Sequence, residues 1–247
     1  MTSKFEIQET FEGLPVPKCW QRTEGAMASS VGRIILSGEP GIGKSYAALN
    51  FGLSEGEEVD RIVCHEEMTV AAIEGMFMPN EKGTYTYHEG PGTRAWRHGR
   101  RLLIDEVNRA SGDVLSLLLA YTDTDASAKH ILPTGERISP QPGFNVVMTT
   151  NLVDLTELDP ALYDRFPVKI QITEPHPSAL LQLPKNLQAI ARELCSGSKE
   201  NGKRVSLRGF LAYVQLMEVF EVAEAAEIAF GKGIAESIQD TLMIGSL

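Results

Sequence analysis

The sequence predicts an α/β fold: a central, mainly parallel sheet flanked by helices, followed by a small helical region. Three observations predict it. Apolar β-branched runs recur through the first two thirds of the chain, at "RIILS", "RLLID" and "FNVVMTTN". The glycine-rich stretch "GEPGIGKS" (38–45) joins the first of these runs to the helix-like "YAALNF". After the proline-bearing "TEPHPS" (173–178) the apolar spacing turns helical. Continuous apolar runs of this length are typical of strands covered on both faces, as in parallel sheets.

The glycine-rich stretch explains itself chemically. Gly38, Gly41, Gly43, Lys44 and Ser45 satisfy the phosphate-loop pattern G-x-x-x-x-G-K-[ST]. Glycine permits backbone angles that turn N–H groups inward around phosphate oxygens. The helix that follows directs its positive end at the same anion. Gly38, Glu39, Pro40, Gly41, Ile42, Gly43, Lys44, Ser45 and Tyr46 are therefore the candidate nucleotide contacts. Lys44 is expected on the β- and γ-phosphates and Ser45 on Mg²⁺.

A phosphate loop calls for a carboxylate at the end of a neighbouring strand. In "RLLIDEVNRA" (101–110), Leu102 to Ile104 read as a buried strand, which puts Asp105 at its carboxyl end. Asp105 is expected to hold the metal and Glu106 to polarise an attacking water. The same two acids also suit the cap of a following helix. "FNVVMTTN" (144–151) ends in Thr149, Thr150 and Asn151. The Asn151 amide can donate to phosphate and orient water, or simply form a turn. A fourth strand-like run, "FPVKIQI", follows "LDPALYDRF", so Arg165 stands where a short helix meets a strand. By itself it reads equally as a surface arginine or a partner for Asp164.

Beyond "TEPHPS", where Pro175 and Pro177 are expected to break regular structure, "SALLQLPKNLQAIARELC" has helical spacing on both sides of Pro184. "SGSKENGKR" reads as a polar loop. Ser206 is placed to cap "LRGFLAYVQLMEVF", with Arg208 in the first turn, and "EVAEAAEIAFGKGIAESIQDTL" reads as further helix interrupted near Gly231 and Gly233. The expected division is a nucleotide-binding core over 1–173 and a helical lid over 174–247.

Composition narrows the function. The chain has 247 residues, 43% of them hydrophobic, and a formal net charge of −10. That charge argues against broad electrostatic binding to nucleic acid. The longest apolar runs fall well short of a membrane span, and "MTSKFEIQET" lacks a signal-peptide core. Cys19, Cys64 and Cys195 are too scattered for a disulfide framework or a zinc site. A cytoplasmic location is the expectation. "HEE" (65–67) lacks the second histidine of a zinc-protease motif. Arg94, Arg97, Arg100 and Arg101 beside Trp96 read as a solvated or inter-subunit helix face rather than a nucleic-acid contact. Tyr85 and Tyr87 alternate as on one face of a strand, and "EGMFMPNEKG" (74–83) reads as a helix end and exposed loop.

Taken in order, these segments resemble an AAA+ ATPase of the MoxR type, and within it the CbbQ/NorQ-like (dynein-related) proteins, from about Ile34 to Ile172. "GEPGIGKS" is similar to the family's G-x-P-G-x-G-K-[ST], "LLIDEVNRA" to its D-E-I-N-R-A stretch, "TTN" to its sensor 1 and "LDPALYDRF" to L-D-P-A-L-x-D-R-F. "VCHEEMTVAAIEG" and "GPGTRAWRHGR" resemble the segments preceding Walker B, and "HILPTGERISPQPG" the hairpin inserted before sensor 1. "VSLRGF" resembles the S-P-R of sensor 2, with Leu207 where proline is common. The resemblance implies that Arg165 is an arginine finger, that Arg208 is the sensor 2 arginine, and that MgATP sits between subunits of a ring, a hexamer. It further implies chaperone-like remodelling of a separate client or adaptor protein carrying a von Willebrand factor A domain. Two other classes stay open: a nucleic-acid-dependent motor of the same fold, and a non-hydrolysing nucleotide-gated assembly module. Nucleic-acid-stimulated ATPase activity distinguishes the first. The joint presence of Glu106, Asn151 and Arg165 argues against the second.

Overall fold

In chain order the computed structural model, which describes residues 8–125, 128–196, 205–236 and 238, begins with a short antiparallel ribbon of β1 (Thr10–Phe11) and β2 (Leu14–Pro15) and helix α1 (Lys18–Met27). There follow β3 (Arg33–Gly38), α2 (Lys44–Asn50), β4 (Val59–Val63), α3 (Val70–Glu74), β5 (Gly75–Pro79), β6 (Tyr85–Glu89) and α4 (Pro91–His98). Next come β7 (Arg101–Asp105), α5 (Gly112–Tyr121), β8 (His130–Ile131), β9 (Arg137–Ile138), β10 (Asn145–Thr150), α6 (Pro160–Arg165) and β11 (Val168–Ile172). The remainder is helical: α7 (Pro177–Leu180), α8 (Lys185–Ser196), α9 (Leu207–Leu216) and α10 (Val222–Phe230).

The chain divides into two compact units, one comprising 22–38 and 44–171, the other 1–21, 39–43 and 172–247. The first unit is built on a five-stranded sheet of order β11-β3-β10-β7-β4. β10 runs parallel to both β3 and β7, and β4 parallel to β7. The register sets Thr150 level with Ser37, and Asp105 level with Val63. The strand-like runs "RIILS", Leu102 to Ile104, 144–151 and 166–172 form β3, β7, β10 and β11, and their apolar residues explain why: Ile34 to Leu36, Leu102 to Ile104 and Val146 to Met148 are all buried. The strand that the sequence did not advertise is β4. Its charged Asp60 and Arg61 interrupt the apolar pattern, and it forms the edge of the sheet.

Two antiparallel hairpins interrupt this unit. β8 and β9 pair His130 with Ile138, as "HILPTGERIS" suggested. β5 and β6 pair Phe77 with Tyr87 and Pro79 with Tyr85, which corrects the reading of 74–83 as a helix end followed by loop. Only Glu74 ends a helix; Gly75 to Pro79 is a strand, because Asn80 closes the turn by bonding both the backbone and the side chain of Thr84. Arg97 ties the hairpins together, donating to Glu89 at the end of β6 and bidentately to Glu136 between β8 and β9. The arginine cluster is thus ion-paired rather than merely solvated: Arg94 meets Asp60, and Arg100 meets Glu58. Arg101 is not on the helix at all. It starts β7, is buried, and donates to Ala48 O, Phe51 O and Asn145 Oδ1 at 3.0, 2.6 and 2.8 Å.

The second unit has its own core, with Leu187, Ile190 and Ala191 of α8 packed with Phe210 and Tyr213 of α9 and Ala225 and Ala226 of α10. Ser206 caps α9 through Gly209 N–H, as expected. Pro177 does not break structure here; it occupies the first turn of α7, where its missing N–H costs nothing. Most of the polar stretch 196–204 and the end of the last helical segment lie outside the described residues. Among the described residues no helix is long and apolar enough to cross a membrane.

Candidate nucleotide site

Three strand ends bring the candidate side chains of the first unit together. Lys44, at the start of α2, is buried; its Nζ donates to Gly38 O at 2.7 Å and to Asn151 Oδ1 at 2.8 Å. A buried ammonium is costly without acceptors, and these two hold it at the end of β3 and just past β10. Ser45 Oγ donates to Asp105 Oδ1 at 3.0 Å. Thr149 Oγ1 donates to the same oxygen, and Arg61 forms an ion pair with Asp105 Oδ2 at 2.5 Å. Burial pushes the Asp105 carboxyl up, but bonds from Thr149, Arg61 and Ser45 together with the Arg61 charge outweigh it and hold the group below its ordinary pKa. Asp105 is therefore an anion at neutral pH. The neighbouring Cys64 thiol shows the complementary effect: burial, then the charges of Asp105 and Glu106, push it up to about 12.

Glu106 has φ 56° and ψ 43°, in the left-handed region that non-glycine residues rarely enter. Its N–H donates to Thr149 Oγ1 at 3.3 Å, and its carboxylate meets Arg109 at 3.1 Å. It does not cap the next turn through its side chain. Such strain is of order 1–3 kcal/mol and collects at functional positions. Asn108, two residues on, accepts from Thr150 Oγ1. Arg165, the last residue of α6, stands apart: the carboxylate it approaches is Asp123, at 3.9 Å, and its side chain is 37% exposed. Asp159 caps that helix through Ala161 and Leu162 N–H, which fixes where Arg165 emerges. Tyr46 is exposed and its ring packs edge-on against Phe51.

Within the second unit, the loop residues 39–43 have a defined setting. Gly41 and Gly43 have φ of 77° and 107°, as does Gly38 at the end of β3 with 138°, all conformations that side chains resist. A methyl group on Gly43 would stand 3.4 Å from the Trp20 ring, whose Nε1 donates to Glu174 O. On Gly41 it would meet the Ser206 side chain at 3.1 Å and Arg208 Cγ at 3.9 Å. Arg208 is thus brought beside the loop. Ile42 is buried, whereas Pro40 is exposed.

Arg61, Asn108 and Arg109 were not among the candidate residues read from the sequence. Arg109 lies in the D-E-x-N-R stretch and was available by position. Arg61 was not, because recognising it requires knowing that "VDRIV" is the strand beside Asp105.

A parallel sheet carrying a glycine loop, a lysine, a hydroxyl and an anionic carboxylate at its strand ends is a phosphate-loop nucleotide-binding domain. The chain belongs to the AAA domain family, dynein-related subfamily, whose pattern matches residues 33–166. It is 30% identical to the protein NorQ of Paracoccus denitrificans over 166 residues, covering 65% of this chain and 57% of NorQ. It is 31% identical to the protein CbbQ of Hydrogenophilus thermoluteolus over 134 residues, covering 53% of this chain and 48% of CbbQ. The chain thus spans about half the length of these curated relatives. Among solved structures, NtrX from Brucella abortus in complex with ADP resembles it in fold, with a TM-score of 0.54 at 16% identity over 81% of this chain and 49% of that one.

Proposed function

We propose that this chain is an ATP hydrolase that works as a ring, a hexamer, and spends the hydrolysis on remodelling or activating a partner protein. The observation that carries the reading is the Lys44 ammonium, buried against Gly38 O and Asn151 Oδ1 beside the Ser45–Asp105 pair. A site with one lysine, one hydroxyl and one anionic carboxylate suits a triphosphate with Mg²⁺, which is bound through few protein oxygens and the substrate's own phosphates.

In this reading residues 38–46 hold the phosphates through backbone N–H groups and Lys44. Ser45 and Asp105 hold Mg²⁺, which when bound neutralises charge on the phosphate oxygens. Glu106 orients the attacking water and takes up its proton, with its carboxylate held by the Arg109 guanidinium three residues on. Asn151 donates to the terminal phosphate. Arg208, beside Gly41, reaches the phosphate held by that loop. Arg165, half-buried and outside the cluster around Lys44, serves a neighbouring subunit, where it meets charge that grows as the γ-phosphoryl group leaves. The core covers residues 1–173 and the lid 174–247. The partner is a separate chain bearing a von Willebrand factor A domain, by likeness to the MoxR-type group, and the acidic chain does not suit nucleic acid.

The test is a pair of variants. Lys44→Ala is expected to lose binding of a fluorescent ATP analogue. Glu106→Gln keeps binding within a few fold and loses turnover by at least 100-fold, on the order of a general-base contribution. Phosphate release near the wild-type rate in both would remove the hydrolase reading. The trapped Glu106→Gln form, mixed with candidate partner proteins, tests the remodelling role.

A further inference from the structure

Asp105 carries more partners than a metal-side carboxylate requires. Oδ1 accepts from two hydroxyls, Ser45 and Thr149, and Oδ2 pairs with the Arg61 guanidinium at 2.5 Å. The two kinds of partner differ in what they permit. A hydroxyl keeps lone pairs and can remain, or coordinate a cation itself, when a metal reaches the carboxylate. A guanidinium has five donors, no acceptor and a permanent charge, so it cannot coordinate a divalent cation, and from Oδ2 its charge opposes one arriving on the Ser45 side of the carboxylate. The two positive groups compete for the same carboxylate.

The position of Arg61 suits such a competition. β4 is the edge strand of the sheet, and Arg61 lies on the strand face it shares with Val59 and Val63, opposite Asp60 and Ile62. Its side chain is 44% exposed while that of Asp105 is 8% exposed. The carboxylate is fixed and the arginine has room to withdraw into water. Its neighbours on the same stretch are already matched: Asp60 with Arg94, and Glu58 with Arg100.

We propose that Arg61 is a resident counter-ion of Asp105 that the incoming divalent cation must displace, so that Arg61 sets how tightly the site takes its metal. This rests on the reading of Asp105 as a metal-side carboxylate. Without metal, Arg61 keeps the buried anion paired and its side chain oriented. With metal, it is released from the edge of the sheet. Metal loading thereby becomes coupled to a movable cation on β4.

The experiment measures the affinity of mant-ADP by fluorescence as Mg²⁺ is raised from an EDTA-treated sample of the full chain. Arg61→Gln is expected to lower the half-saturating Mg²⁺ concentration about three- to tenfold, the range of a partly exposed charged pair, with metal-free affinity for mant-ADP within twofold. Arg61→Lys keeps the charge but loses the planar fork, and shifts the midpoint the same way by a smaller factor. It carries the test if Arg61→Gln does not give the wild-type circular dichroism spectrum. Arg100→Gln removes one positive charge from a guanidinium paired with Glu58 beside the same strand and is expected to leave the midpoint within twofold. Asp105→Asn separates the two readings. If it leaves the Mg²⁺ dependence unchanged, the metal-site reading fails and the proposal with it. If it weakens Mg²⁺ while Arg61→Gln leaves the midpoint unchanged or raises it, the counter-ion role alone is overturned. Equal tightening by Arg100→Gln would also overturn it, by showing a diffuse field instead of a displaced partner.

Discussion

Replacing Arg101 by methionine tests how the sheet holds the helix that presents Lys44 and Ser45. Arg101 is buried at the start of β7, and burial pulls its pKa below the ordinary arginine value. Its guanidinium donates to Ala48 O and Phe51 O, with a longer bond to Gly52 O at 3.4 Å, and so binds carbonyls at and just past the C-terminal end of α2. A fourth bond at 2.8 Å reaches Asn145 Oδ1 on the adjacent strand. Methionine keeps most of the apolar stem and removes every donor. Two well-formed carbonyl bonds are lost, one of them to the buried Ala48, at about 1–3 kcal/mol each, and the Asn145 amide oxygen loses its Arg101 donor as well. Allowing water to recover part of this, the expected loss is about 3–4 kcal/mol, a large fraction of the stability of an ordinary domain. Urea unfolding followed by far-ultraviolet circular dichroism reads it as a lower midpoint at similar slope. Arg101→Lys should recover part of the loss, since an ammonium can reach one or two of the same carbonyls. Because α2 begins at Lys44, nucleotide affinity should fall with Arg101→Met too. A loss below about 1 kcal/mol with unchanged nucleotide affinity would refute the argument, for it would mean that water serves those carbonyls as well as the arginine does.

Two further outcomes are expected. Gly43→Ala, which asks a side chain to adopt a φ of 107° with the Trp20 ring at 3.4 Å, should weaken nucleotide binding at least tenfold and lower stability by about 1–2 kcal/mol; unchanged binding of mant-ADP would show that the loop does not need this backbone angle. Arg165→Ala should retain nucleotide affinity within a few fold and hydrolyse poorly, and mixing it with Lys44→Ala should restore phosphate release, because an intact loop can then face an intact arginine in a neighbouring subunit. No recovery in a mixture shown to co-assemble would place Arg165 in its own subunit's chemistry.

What was legible in the sequence depended on how far each signal reaches along the chain. β3, β7 and β10 are covered on both faces, so their composition is apolar without interruption and stands out. The loop at 38–45 is a local motif whose glycines report backbone angles directly. β4 lacks both kinds of signal. As an edge strand it tolerates Asp60 and Arg61, and these charges, matched by Arg94 and Asp105 from other segments, disguise it. β5 was hidden for a related reason: Met76, Phe77 and Met78 are all exposed, so no alternation marks a buried face. Arg101 was misassigned because four arginines in eight residues suggest one surface. The helix ends between them: Gly99 adopts a left-handed conformation, and the backbone N–H of Arg100 bonds back to Ala95 O. Asp105, Glu106 and Asn151 were legible as strand-end residues. Their mutual arrangement was not, since Lys44 and Asn151 are separated by 107 positions and meet only through the order of the strands.

That strand order also explains why Thr149, a residue with no catalytic role in the reading above, matters to the site. β10 lies between β3 and β7, so its final residues are the ones that can touch both the phosphate-loop side and the acidic side. Asn151 takes the first position through Lys44. Thr149 takes the second: one hydroxyl donates to Asp105 Oδ1 and accepts from the Glu106 N–H. A threonine hydroxyl can do both at once, because it has one proton and two lone pairs. It therefore fixes the metal-side carboxylate and the strained backbone of the water-side carboxylate with a single side chain. Valine has the same shape and neither function, so the geometry of the two acids depends on one oxygen atom on the strand between them.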